Sequence, residues 1–322
     1  MPSTCVAENP GVDEELRDAV LAGLQATPKT LPTQLLYDAR GAELFEAICE
    51  LPEYYPTRTE WQLLNNSISE ISAAVGDNCL VIEPGAGAGV KTRLLLEQLE
   101  NVAGLVTIDV AEDQLDRVAE DLANSYPDLS VVPVAGDFTT LQQLPPLSLS
   151  AKRRLLFFPG STIGNFTPDE AIGLLSRWRR WVGPSGGLLL GADRVKSVDI
   201  LEPAYNDALG ITAAFNLNLL LRLNNELCAD FDLNSFSHRA PWQPGPKAIR
   251  MELVSERAQS VNVAGEAIQF AAGEAIHSEY SHKYELADLE AMLETAGWQL
   301  KQHWSDEQQW FSVIYAEPMP TR

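Results

Sequence analysis

The stretch Leu80-Val-Ile-Glu-Pro-Gly-Ala-Gly-Ala-Gly-Val-Lys-Thr-Arg93 decides the reading of the fold. Leu80, Val81 and Ile82 form a short apolar run suited to a strand buried on both faces. Gly85, Gly87 and Gly89 then alternate with alanine. Without Cβ atoms the chain can turn sharply there, and a ligand can lie against bare backbone. From Lys91, the run Lys-Thr-Arg-Leu-Leu-Leu-Glu-Gln-Leu has the pattern of an amphipathic helix. Strand, glycine turn and helix together predict the opening unit of a nucleotide-binding α/β sheet.

The glycine spacing narrows the nucleotide. A dinucleotide fold uses G-x-G-x-x-G, and here Val90 stands where the third glycine would be. The pattern G-x-G-x-G after Glu83 resembles motif I of class I S-adenosylmethionine (SAM) methyltransferases. No G-x-x-x-x-G-K-[ST] is present, which argues against a P-loop.

Downstream, Gly104-Leu-Val-Thr-Ile-Asp109 reads as the second strand. An acid at its carboxyl end, about twenty residues beyond the glycines, can accept both ribose hydroxyls, so Asp109 is a candidate ribose ligand. The plain alternative is a helix cap, since residues 111–124 read as helix. The third strand ends in Gly-Asp-Phe138. There Asp137 can accept from an adenine amino group, and Phe138 can cover the ring. Arg154-Leu-Leu-Phe-Phe-Pro-Gly-Ser-Thr-Ile-Gly-Asn-Phe166 reads as the fourth strand and its loop, with Thr167 capping the next helix. Asn165 either points into the site or turns the chain. Residues 186–193 read as the fifth strand, and 298–304 and 310–316 as the last two, the final one antiparallel.

Elsewhere, residues 198–227 read as mostly helical, and 250–255, 259–263 and 267–270 alternate like antiparallel strands. Thr59 is the expected cap of a helix over 60–75, with Pro56 holding Tyr55 extended. The predicted fold class is therefore α/β, a Rossmann-like seven-stranded sheet with a second, discontinuous α+β domain. Residues 60–193 and 284–322 would form the SAM-binding domain, and 13–59 and 194–283 the substrate domain over the sheet's carboxyl edge.

Composition excludes several classes. The 322 residues carry a net charge of −22, which repels phosphate backbones and anionic membranes. No apolar run is long enough to span a bilayer. The first ten residues lack the basic start and apolar core of a secretory signal. Cys5, Cys49, Cys79 and Cys228 are scattered without zinc-finger spacing, so the expectation is reduced thiols, a cytoplasmic location and no metal.

Four further stretches carry a sharper resemblance: Leu51-Pro-Glu-Tyr-Tyr-Pro-Thr-Arg-Thr-Glu60, Gly160-Ser-Thr-Ile-Gly-Asn165, Gly210-Ile-Thr-Ala-Ala-Phe-Asn216 and Ala229-Asp-Phe-Asp-Leu233. With them the chain, from about residue 20 to its end, resembles the ergothioneine-pathway L-histidine Nα-methyltransferase family. That resemblance implies conversion of L-histidine to hercynine with three SAM molecules, leaving S-adenosylhomocysteine. It implies that Tyr205 and Asn165 hold the substrate carboxylate and that Tyr54, Glu279 and Ser281 contact the imidazole. Met251 would line that pocket, Thr212 and Phe215 would belong to it, and Tyr37 would approach the amine as the catalytic residue. On the cofactor side it points to Gly85, Gly87, Lys91, Asp109, Asp137 and Phe138. The family's Leu-Gly-Ser-Gly stands here as Pro84-Gly85-Ala86-Gly87. No obligate protein partner is implied. Two rival readings remain at this level: a methyltransferase of the same fold acting on another amino acid or aromatic amine, and a non-catalytic protein that binds SAM or an amino acid.

Overall fold

A computed structural model describes residues 14–85 and 89–320. The chain divides into two compact units. One holds residues up to Tyr55 together with Lys196–His282, and the other holds Pro56–Val195 and Lys283–Arg322.

The second unit is built on a seven-stranded sheet. Its order is Trp298–Ser305, Phe311–Pro318, Gly187–Asp193, Arg153–Phe158, Cys79–Pro84, Gly104–Asp109, Val131–Ala135. Phe311–Pro318 runs antiparallel to both its neighbours, and the other pairings are parallel. All residues of Cys79–Pro84 and Gly187–Asp193 are buried, as expected of strands with helices on both faces. Alternation sorts the side chains. Leu80, Ile82, Leu156 and Phe158 face a core shared with Leu174 and Trp178 of helix Pro168–Val182 and with Leu289 of helix Leu286–Thr295. Val81, Leu155 and Phe157 face the opposite core, with Leu64 and Ile71 of helix Tyr55–Val75 and Leu122 of helix Glu112–Ser125. Each such side chain contributes roughly 1.5–3 kcal/mol by leaving water, so Ile82→Ala would cost about 2–5 kcal/mol. Helix Pro168–Val182 starts as its sequence predicts, with a reciprocal capping box between Thr167 and Glu170 and Pro168 in the first turn. The strand order reverses between Cys79–Pro84 and Arg153–Phe158, and sheets of this kind bind ligands at the carboxyl ends beside such a reversal.

One boundary is corrected. The helix expected from residue 60 begins at Tyr55, with Pro56 in its first turn, where a missing N–H costs nothing. Tyr55 is thus helical rather than extended.

The first unit carries a sheet in the order Lys29–Thr30, Ala275–His282, Ala248–Ser255, Phe236–Arg239, with Trp242–Gln243 also on Ala248–Ser255. A separate hairpin, Gln259–Val263 with Glu266–Phe270, turns at Ala264 and Gly265, both at positive φ, as a two-residue hairpin turn requires. The expected helical run 198–227 is two helices, Val198–Tyr205 and Ile211–Glu226, broken where Gly210 takes φ 73°. Asp38 caps helix Ala39–Cys49 by accepting from Gly41 N at 2.7 Å, and Asn218 Nδ2 donates to the same Asp38 oxygen at 2.8 Å. That bond ties this helix to Ile211–Glu226. Neither Cys49 nor Cys79 forms a disulfide, but Cys228 is disulfide-bonded, which corrects the expectation of reduced thiols throughout.

Candidate active site

The glycine turn emerges from a fully buried strand. Gly85 sits at φ 73° and donates its N–H to Ile108 O at 2.7 Å, so the turn is pinned to the neighbouring strand. Gly89, at φ 69°, opens helix Val90–Leu96. Both conformations are ones that only glycine adopts without strain. Gly87 lies outside the described residues. A Cβ on Gly85 would stand 3.5 Å from Phe138 Cε1, so the turn and the end of the third strand are adjacent. Gly136 N donates to Asp109 O at 2.9 Å and draws Asp137 and Phe138 towards the second strand's end.

Asp109 Oδ1 accepts from Ala111 N at 3.1 Å, a turn just ahead of helix Glu112–Ser125, whose N-cap is Ala111 and which has no side-chain cap. Burial raises the Asp109 carboxyl above its usual range, against the lowering effect of the Ala111 and Val110 amides. Asp137 Oδ1 accepts from Thr139 N at 2.7 Å. Phe138 packs edge-on to Phe158 and Phe166, and its ring is tilted against Trp178. Glu83 is buried at 2% exposure and takes a 2.6 Å bond from Thr92 Oγ1. Burial pushes its pKa up to about 8, and its Oε2 has no partner among the described residues.

Lys91 has a protein partner that its sequence did not reveal. Its ammonium pairs with Glu60, which is 1% exposed. Gly160 N also donates to both Glu60 oxygens, at 2.9 and 2.8 Å. One buried carboxylate therefore fastens the helix after the glycine turn to the loop after the fourth strand. Sequence reasoning missed Glu60. Its only signal was its place at the end of the stretch Leu51–Glu60, which carries the family resemblance. Asn165 ends the short 3₁₀ turn Thr162–Asn165 in this same unit. The turn is anchored because Asp193 N donates to Ser161 Oγ at 2.9 Å.

Every other predicted substrate residue lies in the first unit. The strand Ala275–His282 was not anticipated, and it carries two of them. Its register against Ala248–Ser255 shifts between His277 and Glu279. An unbroken strand would put those two side chains on one face. The extra residue at Ser278 reverses that. His277 and Tyr280 stand opposite Glu252 and Arg250, whereas Glu279 and Ser281 stand opposite Met251 and Ile249. The His277 and Tyr280 rings accordingly pack together, tilted by 48° with centroids 4.0 Å apart. Glu279, Ser281 and Met251 are all buried on the opposite face.

That face meets an aromatic frame. Tyr37 OH donates to Glu279 Oε1 at 3.2 Å, and Tyr205 OH and Ser281 Oγ share a 2.8 Å bond. Tyr54 meets Tyr205 edge-on at 5.8 Å between centroids, and Phe45 meets Tyr54, Tyr37 and Phe215. Phe45 was not among the sequence candidates. Its position on helix Ala39–Cys49, after the Asp38 cap, was the available clue. Burial first, then the neighbouring Tyr205, Cys49, Tyr37 and Glu279, raise the Tyr54 phenol well above its usual range, so it stays a neutral donor. Asp207 accepts from Thr212 N at 2.8 Å and Ile211 N at 3.0 Å, fixing the start of Ile211–Glu226. Thr212 is buried at the start of this helix, beside Asp207. The unit thus gathers Tyr37, Tyr54, Tyr205, Met251, Glu279 and Ser281, with one buried acid and several neutral hydroxyls. That set is suited to binding a small polar molecule with a ring.

No described helix is long and apolar enough to cross a membrane, and no described cluster of three His, Cys, Asp or Glu could hold a metal.

The sheet order and glycine turn define the class I SAM-dependent methyltransferase fold. The model of the family described as histidine-specific, SAM-dependent methyltransferases matches residues 16–318, and the chain belongs to that family. It is 42% identical over 299 residues to the histidine N-alpha-methyltransferase of Mycolicibacterium smegmatis, covering 91% of this chain and 92% of that protein. It is 39% identical over 298 residues to the protein of the same name from Mycobacterium tuberculosis, covering 91% of each. Ergothioneine biosynthesis protein 1 of Neurospora crassa is 29% identical over 285 residues, which are 86% of this chain and 32% of that longer protein.

Proposed function

We propose that the protein is a SAM-dependent Nα-methyltransferase that converts L-histidine to hercynine in ergothioneine biosynthesis. The observation that supports this best is Glu279: a carboxylate 5% exposed, bonded by Tyr37 OH and held beside Ser281 and Met251. An acid buried in this way is costly unless it has hydrogen-bond donors, and an imidazole N–H is a donor that an apolar ring lacks. A site built on such a bond rejects ligands without it, because its own group would be left unpaired. Ser281 gives the ring a second polar contact, and Tyr54 keeps its phenol protonated. Tyr205 OH, which shares a bond with Ser281, takes the substrate carboxylate without adding charge to an acidic protein. Asn165 keeps the same assignment, which its sequence signature implies. The Thr212 hydroxyl supplies one more polar contact.

On the donor side the residues fit SAM. The Gly85 turn offers bare backbone, Asp109 stands at a strand end suited to ribose hydroxyls, and Asp137 with Phe138 lies beside them. Glu83 Oε2, just before this turn, is a buried oxygen with no partner among the described residues. When bound, SAM supplies an electrophilic methyl carbon on a sulfonium. The protein's part is to bind, orient and exclude water. Positioning of this kind accounts for most of the rate in a two-reactant reaction that needs no enzyme nucleophile. Tyr37 orients the amine through its hydroxyl oxygen. We place the enzyme in the cytoplasm, the reading that four scattered cysteines in a chain of 322 residues suggest.

The test is to incubate the purified protein with L-histidine and SAM and to follow successive methyl additions by mass spectrometry. Hercynine is the expected product. No mass gain on histidine would reject the reading, and methylation of a tryptophan derivative alone in a parallel panel would favour a different amine.

A further inference from the structure

Tyr205 is held from behind by a half-buried histidine that the function reading does not use. It is the last residue of helix Val198–Tyr205, so its carbonyl has no partner within the helix. His238 Nε2 lies 2.8 Å from that carbonyl, and His238 Nδ1 lies 2.9 Å from Asn216 Nδ2. Asn216 Nδ2 also donates to Glu252 O at 3.2 Å, and Asn216 is 0% exposed.

These contacts fix the proton. A carbonyl oxygen only accepts, so His238 Nε2 carries hydrogen. The bond to Glu252 O sets the Asn216 amide with its NH₂ towards both partners. Asn216 therefore donates to Nδ1, which is bare. Burial holds the imidazole below its usual pKa, against the raising effects of the Tyr205 carbonyl and of Asp207, and so favours this neutral form. The chain of contacts runs from Glu252 O through Asn216 and His238 to the Tyr205 backbone. From there the Tyr205 ring, 7% exposed and edge-on to Tyr54, carries its hydroxyl to Ser281.

We propose that His238, locked by Asn216 as its Nε2–H tautomer, is a positioning residue that sets Tyr205 for recognition of the amino-acid substrate. This rests on the reading of Tyr205 as a carboxylate donor. His238 touches neither substrate nor cofactor in this scheme. It acts by holding the helix end from which Tyr205 projects. Losing one hydrogen bond of this kind is worth about 1.4 kcal/mol, close to a tenfold change in binding.

Two polar variants of similar size separate positioning from plain packing. His238→Gln places its amide nitrogen near the lost Nε2 and can still donate to the Tyr205 carbonyl. His238→Asn reaches only the Nδ1 side. The expected result is a KM for histidine raised about tenfold in His238→Asn, and within about threefold of the parent in His238→Gln. kcat and SAM affinity should stay within about threefold in both. In the unmodified protein, nitrogen-15 NMR of His238 should report the Nε2–H tautomer near neutral pH. Equal effects of the two variants, a loss confined to kcat, or an Nδ1–H signature would overturn the proposal. A parent protein that turns over histidine while His238→Asn leaves KM unchanged would overturn this inference alone. A parent protein inactive on histidine would overturn the functional reading, and this one with it.

Discussion

Glu60 offers the most quantitative test of how the sheet unit is assembled. Its carboxylate accepts from Gly160 N and pairs with Lys91, whose side chain is 16% exposed. Glu60→Ala strands a backbone N–H, at about 1–3 kcal/mol, and leaves a mostly buried ammonium without its counter-charge. Breaking a buried pair from one side costs about 3–5 kcal/mol in all. Glu60→Gln keeps an oxygen for Gly160 and loses only the charge, so about 1.5–3 kcal/mol is expected. For a unit of this size each kcal/mol moves the midpoint by about 2–4 °C. The alanine variant should therefore melt about 6–20 °C lower, and the glutamine variant about 3–12 °C lower. Urea denaturation followed by tryptophan fluorescence, together with a thermal melt, would read both. A double-mutant cycle with Lys91→Met isolates the pair, and a coupling of about 1–3 kcal/mol is expected. If the two single changes simply add, within about 0.5 kcal/mol, the ion pair contributes nothing and the reasoning fails.

Three more expectations follow from single contacts. A Cβ at Gly191 would stand 1.9 Å from Glu60 Oε1, so Gly191→Ala should destabilise at least as much as Glu60→Gln in the same melts; an unchanged midpoint would contradict the buried placement of Glu60. Glu279→Ala should raise KM for histidine by roughly 10–100-fold while SAM affinity, read by calorimetry, moves less than about threefold, and equal losses of both would count against its role. Burial, then Arg250 and His282, hold His277 down from 6.5 to about 4, against a raising backbone contact with Met251. The unfolded chain therefore binds the extra proton first as the pH drops below about 6.5, and stability should fall by roughly 3 kcal/mol between there and about 4. His277→Phe should flatten that slope in denaturation at stepped pH; an identical slope would show that His277 is not its source.

The sequence by itself determined the sheet. Parallel strands buried on both faces must be apolar throughout, so Leu80-Val-Ile82, Leu155-Leu-Phe-Phe158 and Leu188-Leu-Leu190 announce themselves. Backbone at positive φ selects glycine, and a capping box is local, so Gly85, Gly89 and Thr167 were equally legible. The family resemblance named candidate substrate residues without placing them. Tertiary structure alone decided three things. It put Glu60, an acid that reads as a solvated helix residue, in the interior, because its partners lie 31 and 100 residues away in sequence. It made a strand of Ala275–His282, whose polar alternation conceals a bulge, and that bulge decides which face Glu279 occupies. It also gave His238 its tautomer, which no sequence states, because a proton's position depends on neighbours brought together only by folding.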